Sequence, residues 1–389
     1  MRRHSSLPAL ALVLCLFIPL IKTMAQAVPP LPIDVVYTFD SQSLETRVVD
    51  RATGIPVLKG FTRLDLANDP TIVPSPDDHF LYVFGFIRGG EILQLAVYPT
   101  DTNGVPRNSP VQRVDFPFSP FSIDPNRRNA YNFYYDENAL KWDFLRFPIN
   151  PRTGLVQPPK VVAQESQYGP CSQWVPGAPG IYGFSPSGDQ VYEEWHCSSD
   201  EGTNEYYYYT RRVDPQTGAV GDPVLTVGTF GDGGGITTVN ITPNAILEFD
   251  TYDCCSLSVL PLSGGSPLFT CTAEMLDACG NAFSISVDPE GKNVFFQVEQ
   301  DGPVCYSGCI FQIGKLLFKE NEVVPTGYSI PLNASLVFSP DDALVYAGGQ
   351  INASTFDIYV FYPDTGEVRA GGQIYGPDSG FAMVPAVRR

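Results

Sequence analysis

The stretch Glu193-Glu-Trp-His-Cys197 brings together residue types that acid–base chemistry needs. It contains His196, one of only two histidines after residue 27. The neighbouring carboxylates would favour the protonated form of this histidine. His196 could act with Glu194 in acid–base catalysis, as general base for the attack of water on an ester, while Arg88 or Arg63 stabilises the oxyanion. The structural alternative, which we favour, is a histidine that ends a strand and is fixed by a disulfide at the next residue.

Other catalytic and phosphate-binding motifs are missing from the sequence, including Gly-x-Ser-x-Gly, His-Glu-x-x-His, the phosphate-binding glycine loop and the EF-hand. Acidic residues could instead hold calcium, which takes oxygen ligands from several segments. The candidates are Asp200, Glu201, Glu205, Asp232, Glu274 and Asp277. Because they show no fixed ligand spacing, we favour solvated acidic loops and predict no cofactor, with calcium as the alternative.

Residues 1–27 have the three parts of a secretory signal. Two arginines precede an apolar run from Leu7 to Ile21, and Ala25-Gln-Ala27 provides a site for cleavage before Val28. The run is shorter than the roughly 20 residues that span a bilayer, which argues against a transmembrane anchor. The mature chain is therefore expected to be secreted or periplasmic, with no membrane span.

The chain is acidic, with 24 Lys and Arg against 42 Asp and Glu and a net charge of −18. Removal of the signal makes the charge more negative, because that segment holds basic residues and no acidic ones. Such a chain repels polyanions, so nucleic acid, anionic membranes and heavily phosphorylated substrates are poor candidates for its binding partner, unless a local basic patch outweighs the overall negative potential. A protein, a carbohydrate or a small molecule remains as the expected partner.

The elements that must position these residues follow from a repeat, seen best at Leu336 to Gly366. Apolar runs there are separated by Ser339-Pro-Asp-Asp342 and Asp364-Thr-Gly366, which are typical of tight turns because proline lacks an amide donor and glycine tolerates positive φ. The first turn recurs at 75, 124, 185, 242 and 288, and the second at 50, 100, 150, 214 and 262. This spacing matches a four-stranded propeller blade with variable loops.

The repeat predicts an all-β chain of seven four-stranded antiparallel blades. Each end of the chain holds part of a blade, so Phe381-Ala-Met-Val-Pro385 is expected to complete the sheet begun by Val35–Phe39, Leu44–Val49 and Ile55–Leu58. Closing a ring in this way removes the exposed strand edges of an open array. Since no linker divides residues 28–389, we predict one propeller domain.

The eight cysteines after the signal are even in number, which favours disulfides in an exported protein. In the predicted blades all eight lie in loops on one face of the ring. The expected pairs are Cys171 with Cys197 and Cys305 with Cys309, which leaves Cys254, Cys255, Cys271 and Cys279 to pair in an undetermined way. A four-cysteine metal site is disfavoured because adjacent cysteines do not match the usual spacing of zinc ligands.

The same face carries the longest insertions, and binding sites collect in such loops. The predicted binding residues are Tyr168, Trp174, Asp232 and Glu274. The alternative is that these loops only cap the channel. Three matches to the N-glycosylation acceptor begin at Asn240, Asn333 and Asn352 and depend on whether the source glycosylates.

The Ser-Pro-Asp-Asp-x-x-x-Tyr strand pair, followed by an apolar strand and Pro-x-Thr-Gly, resembles the blades of lactonase-type seven-bladed propellers. That group includes the 6-phosphogluconolactonases and the Tyr-Val-Thr-Asn-repeat surface proteins. The resemblance covers nearly all of the mature chain and implies the fold. Enzymes of the group work with histidine, arginine and glutamate at the channel mouth, but no motif here matches theirs position by position.

We therefore expect a secreted or periplasmic binding scaffold that uses the disulfide-stapled face. The alternative is a lactonase-like hydrolase that acts on a small lactone or ester at the channel mouth.

Overall fold

The computed structural model describes residues 32–39, 43–64, 70–86, 93–171, 175–176, 179–185, 187–198, 204–231, 236–241, 245–250, 256–261, 269–270, 282–287, 294–299, 311–317, 322–330, 334–339, 344–349, 355–362, 367–375 and 382–388. From 227 to 338 only the course of the strands is described. These residues form strands and no helix, as the alternation of apolar runs and turns predicts.

The described strands assemble into seven antiparallel sheets, here numbered in chain order. Sheet 1 contains β1 (Ile33–Phe39), β2 (Ser43–Val49), β3 (Pro56–Arg63) and β29 (Ala382–Arg388). Sheet 2 contains β4 (Thr71–Pro74), β5 (Phe80–Phe86), β6 (Leu93–Pro99) and β7 (Gln112–Asp115). Sheet 3 contains β8 (Ser122–Ile123), β9 (Asn129–Asp136), β10 (Lys141–Pro148) and β11 (Lys160–Ser166).

Sheet 4 contains β12 (Val175–Pro176), β13 (Gly180–Phe184), β14 (Gln190–Ser198), β15 (Asn204–Arg212) and β16 (Val224–Gly231). The two-residue strand β12 is a fifth strand that the repeat did not predict. Sheet 5 contains β17 (Ile236–Ile241), β18 (Ala245–Asp250), β19 (Ser256–Pro261) and β20 (Phe269–Thr270). Sheet 6 contains β21 (Ala282–Val287), β22 (Val294–Glu299), β23 (Phe311–Leu317) and β24 (Glu322–Ile330). Sheet 7 contains β25 (Ala334–Phe338), β26 (Leu344–Gly349), β27 (Thr355–Tyr362) and β28 (Glu367–Tyr375).

The last strand of the chain pairs with the first. In sheet 1, β29 runs antiparallel to β1, with Ile33 opposite Arg388 and Phe39 opposite Ala382. The strand continues three residues beyond Pro385, where the sequence pattern had placed its end. Pro385 is compatible with the strand interior because β29 lies at the edge of its sheet, where not every amide needs a strand partner.

The turns between strands have the chemistry that their sequences predict. In the first turn of sheet 2, the hydroxyl of Ser75 accepts a hydrogen bond from the amide of Phe80 (3.1 Å), and Asp78 adopts a left-handed φ of 55°. In the second turn of sheet 3, a side-chain oxygen of Asn150 accepts from the amides of Arg152 and Thr153. The turns at 242, 262, 288 and 364 lie outside the described residues.

Apolar side chains from consecutive sheets form shared cores. Between sheets 2 and 3, the rings of Phe84, Phe116, Phe121 and Phe147 lie 5.0–5.7 Å apart in edge-on or tilted contacts. A second core joins the ends of the chain, because Val36 of sheet 1 packs with Tyr346 and Ile358 of sheet 7. Aromatic rings thus fill the space between these sheets.

A buried polar network links sheets 1 and 2. The Tyr37 hydroxyl lies 2.7 Å from both the Asp78 carboxyl and the carbonyl of Gly104. The Arg388 guanidinium donates to the carbonyl of Asp78 (2.8 Å) and to the hydroxyl of Thr100 (2.7 Å). One phenolic proton cannot serve two acceptors fully, so a protonated Asp78 that donates to Tyr37 satisfies both contacts. Burial raises the pKa of Asp78 to about 7, which agrees with this arrangement.

We predict that Gly154→Ala destabilises the protein by about 2–4 kcal/mol. Gly154 has φ +71°, and a Cβ there would lie 2.4 Å from the Phe80 ring of the neighbouring sheet. Urea denaturation measures the loss. The matched control is Gly183→Ala, because a Cβ at Gly183 meets nothing within 4 Å; equal stabilities of the two variants would contradict the close approach of the sheets.

We also predict that Asp78 makes the fold less stable as pH rises. The folded-state pKa of about 7 lies above the roughly 4 of an unfolded aspartate, so the stabilising contribution is complete below about pH 4 and is lost as pH rises through about 7. Asparagine tolerates the left-handed φ of this position and cannot ionise. The unfolding free energy of wild type minus that of Asp78→Asn should therefore fall between pH 4 and 8, by at most about 4 kcal/mol.

Urea denaturation of both proteins across this pH range tests the prediction. The exposed Asp222→Asn serves as control and should leave the pH dependence of wild type unchanged. A difference between wild type and Asp78→Asn that stays constant with pH would show that Asp78 is ionised in the folded state throughout.

Candidate functional site

Strand β14 carries the candidate catalytic residues, and its successive side chains lie in two different environments. Val191, Glu193, Trp195 and Cys197 share one face of sheet 4, because successive side chains of a strand point to opposite sides. Trp195 is 2% exposed and packs against the Phe133 ring of sheet 3, with centroids 5.8 Å apart. The apolar members of this face therefore fix β14 against the preceding sheet.

A buried ion triad lies on the same face. The Arg211 guanidinium donates to Glu193 of β14 (2.5 Å) and to Glu165 of β11 (2.5 Å), and it lies 5.4 Å from the centre of the Phe144 ring. The triad joins sheets 3 and 4 through a fully desolvated cation. Removing one partner of such a set leaves a buried charge uncompensated, so the triad fixes the position of β14.

The opposite face of β14 carries Glu194 and His196, as the sequence alternation requires. The partner strand β15 places Tyr208 opposite Glu194 and Tyr206 opposite His196. Tyr182, on the neighbouring β13, lies beside them. We call these five residues the tyrosine–glutamate cluster.

Burial and neighbouring polar groups define the chemistry of the tyrosine–glutamate cluster. The hydroxyls of Tyr182 and Tyr208 lie close enough to the Glu194 carboxyl group to favour its charged form. Burial raises the pKa of Glu194, and the two tyrosine hydroxyls and His196 only partly oppose this effect. The imidazole of His196 stacks on the Tyr206 ring, with centroids 4.7 Å apart and planes 15° apart. The cluster therefore holds a desolvated carboxyl group beside an imidazole and phenolic hydroxyls.

The disulfide between Cys171 and Cys197, which the sequence predicts, lies behind the cluster, because Cys197 is on the opposite face of β14 from Glu194 and His196. Its Cα atoms are 5.5 Å apart, and the Cys171 sulfur lies 3.9 Å from the carbonyl oxygen of His196. Cys171 is in the connection that follows β11, and its amide donates to the carbonyl of Tyr168 (2.7 Å). The placement of Cys197 in a loop was wrong: it is a residue of β14, because that strand extends along β15 as far as Ser198.

The structure brings some of the predicted site residues together. Glu194 and His196 share one face of β14, and Tyr168, which is 50% exposed, belongs to the connection that holds Cys171. Arg63, by contrast, ends β3, the outermost strand of sheet 1, and so does not share a sheet with His196. The other predicted residues lie outside the described part of the chain; they are Arg88, Trp174, Asp232, Glu274, Cys254, Cys255, Cys271, Cys279, Cys305, Cys309, Asn333 and Asn352. Asn240 lies on β17, of whose side chains nothing is described.

Sequence reasoning missed the three tyrosines of the cluster and the arginine of the triad. A signal was present in Tyr206-Tyr-Tyr-Tyr209, because a period of two places alternate tyrosines of such a run on each face of a strand. The strand pairing of Glu194 with Tyr208 depends on the length of the connection between β14 and β15, which the sequence does not specify.

A metal site and a membrane-spanning helix are the two remaining features that the sequence raised. Searched over those residues, the structure holds no cluster of three or more His, Cys, Asp or Glu side chains suited to a metal ion. The acidic residues proposed as calcium ligands have no described side chains. The same part of the chain contains no helix of the length and apolar character needed to cross a bilayer.

Comparison with known proteins shows a similarity of fold. No family model matches the chain, and no curated protein matches its sequence. Among solved structures, two provisionally assigned 6-phosphogluconolactonases resemble it: one from Bacteroides fragilis (TM-score 0.55, 13% identity, covering 90% of this chain and 98% of that chain) and one from Bacteroides uniformis (TM-score 0.56, 15% identity, 91% and 99%). The periplasmic gluconolactonase of Pseudomonas aeruginosa is also similar (TM-score 0.53, 15% identity, 90% and 99%). The lactonase-type resemblance read from the sequence is therefore confirmed for the fold.

We predict that replacing both Cys171 and Cys197 by serine lowers the free energy of unfolding by about 2–4 kcal/mol, because the bond closes a loop of 26 residues. Urea denaturation under non-reducing conditions measures the loss. Each single replacement breaks the same bond, so it should lose as much as the double variant. If the loss in the double variant instead equals the sum of the losses in the two single variants, the two sulfurs stabilise the protein separately.

Proposed function

We propose that residues 28–389 form one seven-bladed β-propeller, exported after removal of residues 1–27, that acts as a binding scaffold through the face bearing the Cys171–Cys197 disulfide. Its ligand is a neutral molecule rich in hydroxyl groups, such as a sugar, and the tyrosine–glutamate cluster forms the binding site. The observation that carries this proposal is the position of that cluster, which lies on a strand that the disulfide holds at Cys197, the residue after His196.

The order in which the sheets pack supports a ring. Inner strands β13, β17, β21 and β25 of sheets 4 to 7 contact one another in that order, and β28 of sheet 7 contacts β3 of sheet 1. The amide of Gly372 in sheet 7 donates to the carbonyl of Gly54 in sheet 1 (3.0 Å). Because the last sheet packs on the first, and β29 belongs to sheet 1, a closed circle of seven blades accounts for every one of these contacts.

Export is supported by the signal-like segment and by the disulfide, which persists in oxidising compartments. One of the proteins that share the fold is a periplasmic gluconolactonase. The secreted or periplasmic location of this chain is proposed on those grounds.

The side chains of the cluster suit a hydroxyl-rich ligand. A carboxylate and phenolic hydroxyls can exchange hydrogen bonds with sugar hydroxyls, and an aromatic face can pack on the apolar face of a sugar ring. Tyr182 is 43% exposed although its hydroxyl reaches Glu194, so the cluster can be approached from solvent. The net charge of −18 disfavours a phosphorylated sugar and leaves a neutral one.

A second candidate function is hydrolysis of a neutral sugar lactone at the same cluster. Glu194 and His196 share one face of β14, and burial raises the pKa of Glu194, which favours the protonated acid that can donate to a leaving group. In such a reaction His196 takes a proton from the water that attacks the lactone carbonyl. The ring oxygen then leaves as the ester bond breaks, and it receives a proton from Glu194 to give the free hydroxy acid.

Isothermal titration of the mature protein with neutral sugars and with glucono-δ-lactone tests the binding site. We expect Glu194→Gln to weaken binding at least about tenfold, because one carboxylate oxygen that accepts hydrogen bonds from the ligand is lost. Glu137→Gln is the matched control, since Glu137 is exposed in the turn between β9 and β10, and it should bind as wild type does. Equal affinity of wild type and Glu194→Gln would reject the cluster as the site.

A lactone-hydrolysis assay on the same proteins separates the two candidate functions. Binding without turnover supports the scaffold, whereas turnover that His196→Ala abolishes, with the melting temperature retained, supports the hydrolase. If the protein neither binds nor hydrolyses any member of the panel, both candidate functions at this cluster are wrong.

A further inference from the structure

The ends of the strands remote from the disulfide carry a second candidate site, which is separate from the tyrosine–glutamate cluster. A groove of about 1330 Å³ lies where the turns of sheets 2 and 3 meet. It is lined by Arg107, Arg127, Arg152, His79 and Asp77, together with apolar side chains. Three guanidinium groups against one carboxylate give this groove a positive charge in a chain whose net charge is −18.

The turns fix the backbone of each of the three arginines. The amide of Arg107 donates to the carbonyl of Pro99 (2.9 Å), and the amide of Arg152 donates to the side chain of Asn150 (3.0 Å). Arg127 adopts a left-handed φ of 58° in its turn. The backbone positions from which the three side chains project are therefore fixed by the turns, so only the side chains must be ordered when a ligand binds.

The charges of the groove are only partly compensated. Asp77 pairs with both His79 and Arg127, so a single carboxylate serves two basic groups. Within the residues that the structure describes, Arg107 and Arg152 make no ion pair. Their guanidinium groups are thus available to carboxylates of a ligand, which arginine binds in a two-pronged geometry.

The walls and the size of the groove restrict the ligand further. Phe80, Val111 and Leu155 line it together with four prolines, and Val111 is 49% exposed. A ligand that combines carboxylates with apolar side chains would cover these surfaces. The volume of the groove exceeds the roughly 300–1,000 Å³ that is usual for small-molecule sites. A segment of polypeptide fits this combination of size, charge and apolar surface better than a small anion.

We propose that the groove between sheets 2 and 3 binds an acidic peptide segment of a partner protein, with Arg107 and Arg152 contacting its carboxylates and Phe80 and Leu155 contacting its apolar side chains. The overall negative charge of the chain opposes the approach of such a ligand from a distance. At an ionic strength of about 0.1 M this repulsion is screened beyond roughly 10 Å, whereas contacts inside the groove persist. Affinity then depends on the local arginines.

The test is fluorescence polarisation with the mature protein and a fluorescein-labelled peptide in which Glu and Asp alternate with Leu and Phe. We expect the double variant Arg107→Ser, Arg152→Ser to weaken binding at least about fivefold. The matched control is Arg113→Ser with Arg212→Ser, which removes the same charge from exposed positions outside the groove and should stay within about twofold of wild type. Melting temperatures of both variants establish that they fold.

A second peptide, in which Gln and Asn replace Glu and Asp, tests the role of the carboxylates and should bind at least about fivefold more weakly. Benzophenone cross-linking of the acidic peptide to residues 107–111 or 151–155 of wild type would locate it without any variant. Equal binding of the two peptides, no binding of either, or an equal loss in both arginine variants would overturn the proposal. Inorganic phosphate or a DNA oligonucleotide that binds with the same dependence on Arg107 and Arg152, but more tightly than the peptide, would also overturn it.

Discussion

The close approach of sheets 1, 2 and 3 to the sheets that precede them depends on glycines in the second turn of the repeat. Gly54, Gly104 and Gly154 occupy the same position in sheets 1, 2 and 3, and each touches the preceding sheet so closely that a Cβ would overlap it. The contacts are to Gly371 in sheet 7, Val35 in sheet 1 and Phe80 in sheet 2. This turn therefore has two roles. It reverses the chain, and it sets the distance at which the aromatic cores between sheets can interdigitate.

At that contact distance, polar side chains of one sheet can reach specific partners in the next sheet. Arg211 bridges sheets 3 and 4 through Glu193 and Glu165, and Tyr37 bridges sheets 1 and 2 through Asp78. Burying such groups costs free energy unless each finds a partner. A pair of sheets held at a different distance would lose these partners, so the networks favour one arrangement of the sheets over its alternatives.

Much of the fold could be predicted from the sequence because its signals are local. Ser75 and Asn150 accept amide hydrogen bonds from residues within five positions of themselves, so a few consecutive residues determine each turn. The pairing of β29 with β1 followed from an incomplete repeat at each end of the chain. The pairing of Cys171 with Cys197 followed from their positions at one end of the strands.

The candidate sites were less predictable because they depend on contacts between segments far apart in sequence. His196 and Glu194 were identified by residue type, but Tyr182 and Tyr208 join them only through the register of three strands. The arginine groove likewise combines turns of two sheets, and Arg107 and Arg152 stand in turn sequences that gave no sign of a shared surface. A repeat predicts where its turns lie, whereas the length of each irregular connection decides which side chains meet there.

The two proposed sites lie at opposite ends of the strands, which has a physical basis in the repeat. At the end that carries the groove, short turns with fixed hydrogen bonds leave each arginine little choice of backbone position. At the other end, longer connections such as the one that holds Cys171 are not fixed by the repeat, and a disulfide supplies the constraint instead. Side chains that share no partners respond to substitution nearly independently. If both proposals hold, the sheets carry a site for a neutral ligand at one end and a site for an acidic peptide at the other, and substitutions at one site should leave the other unchanged.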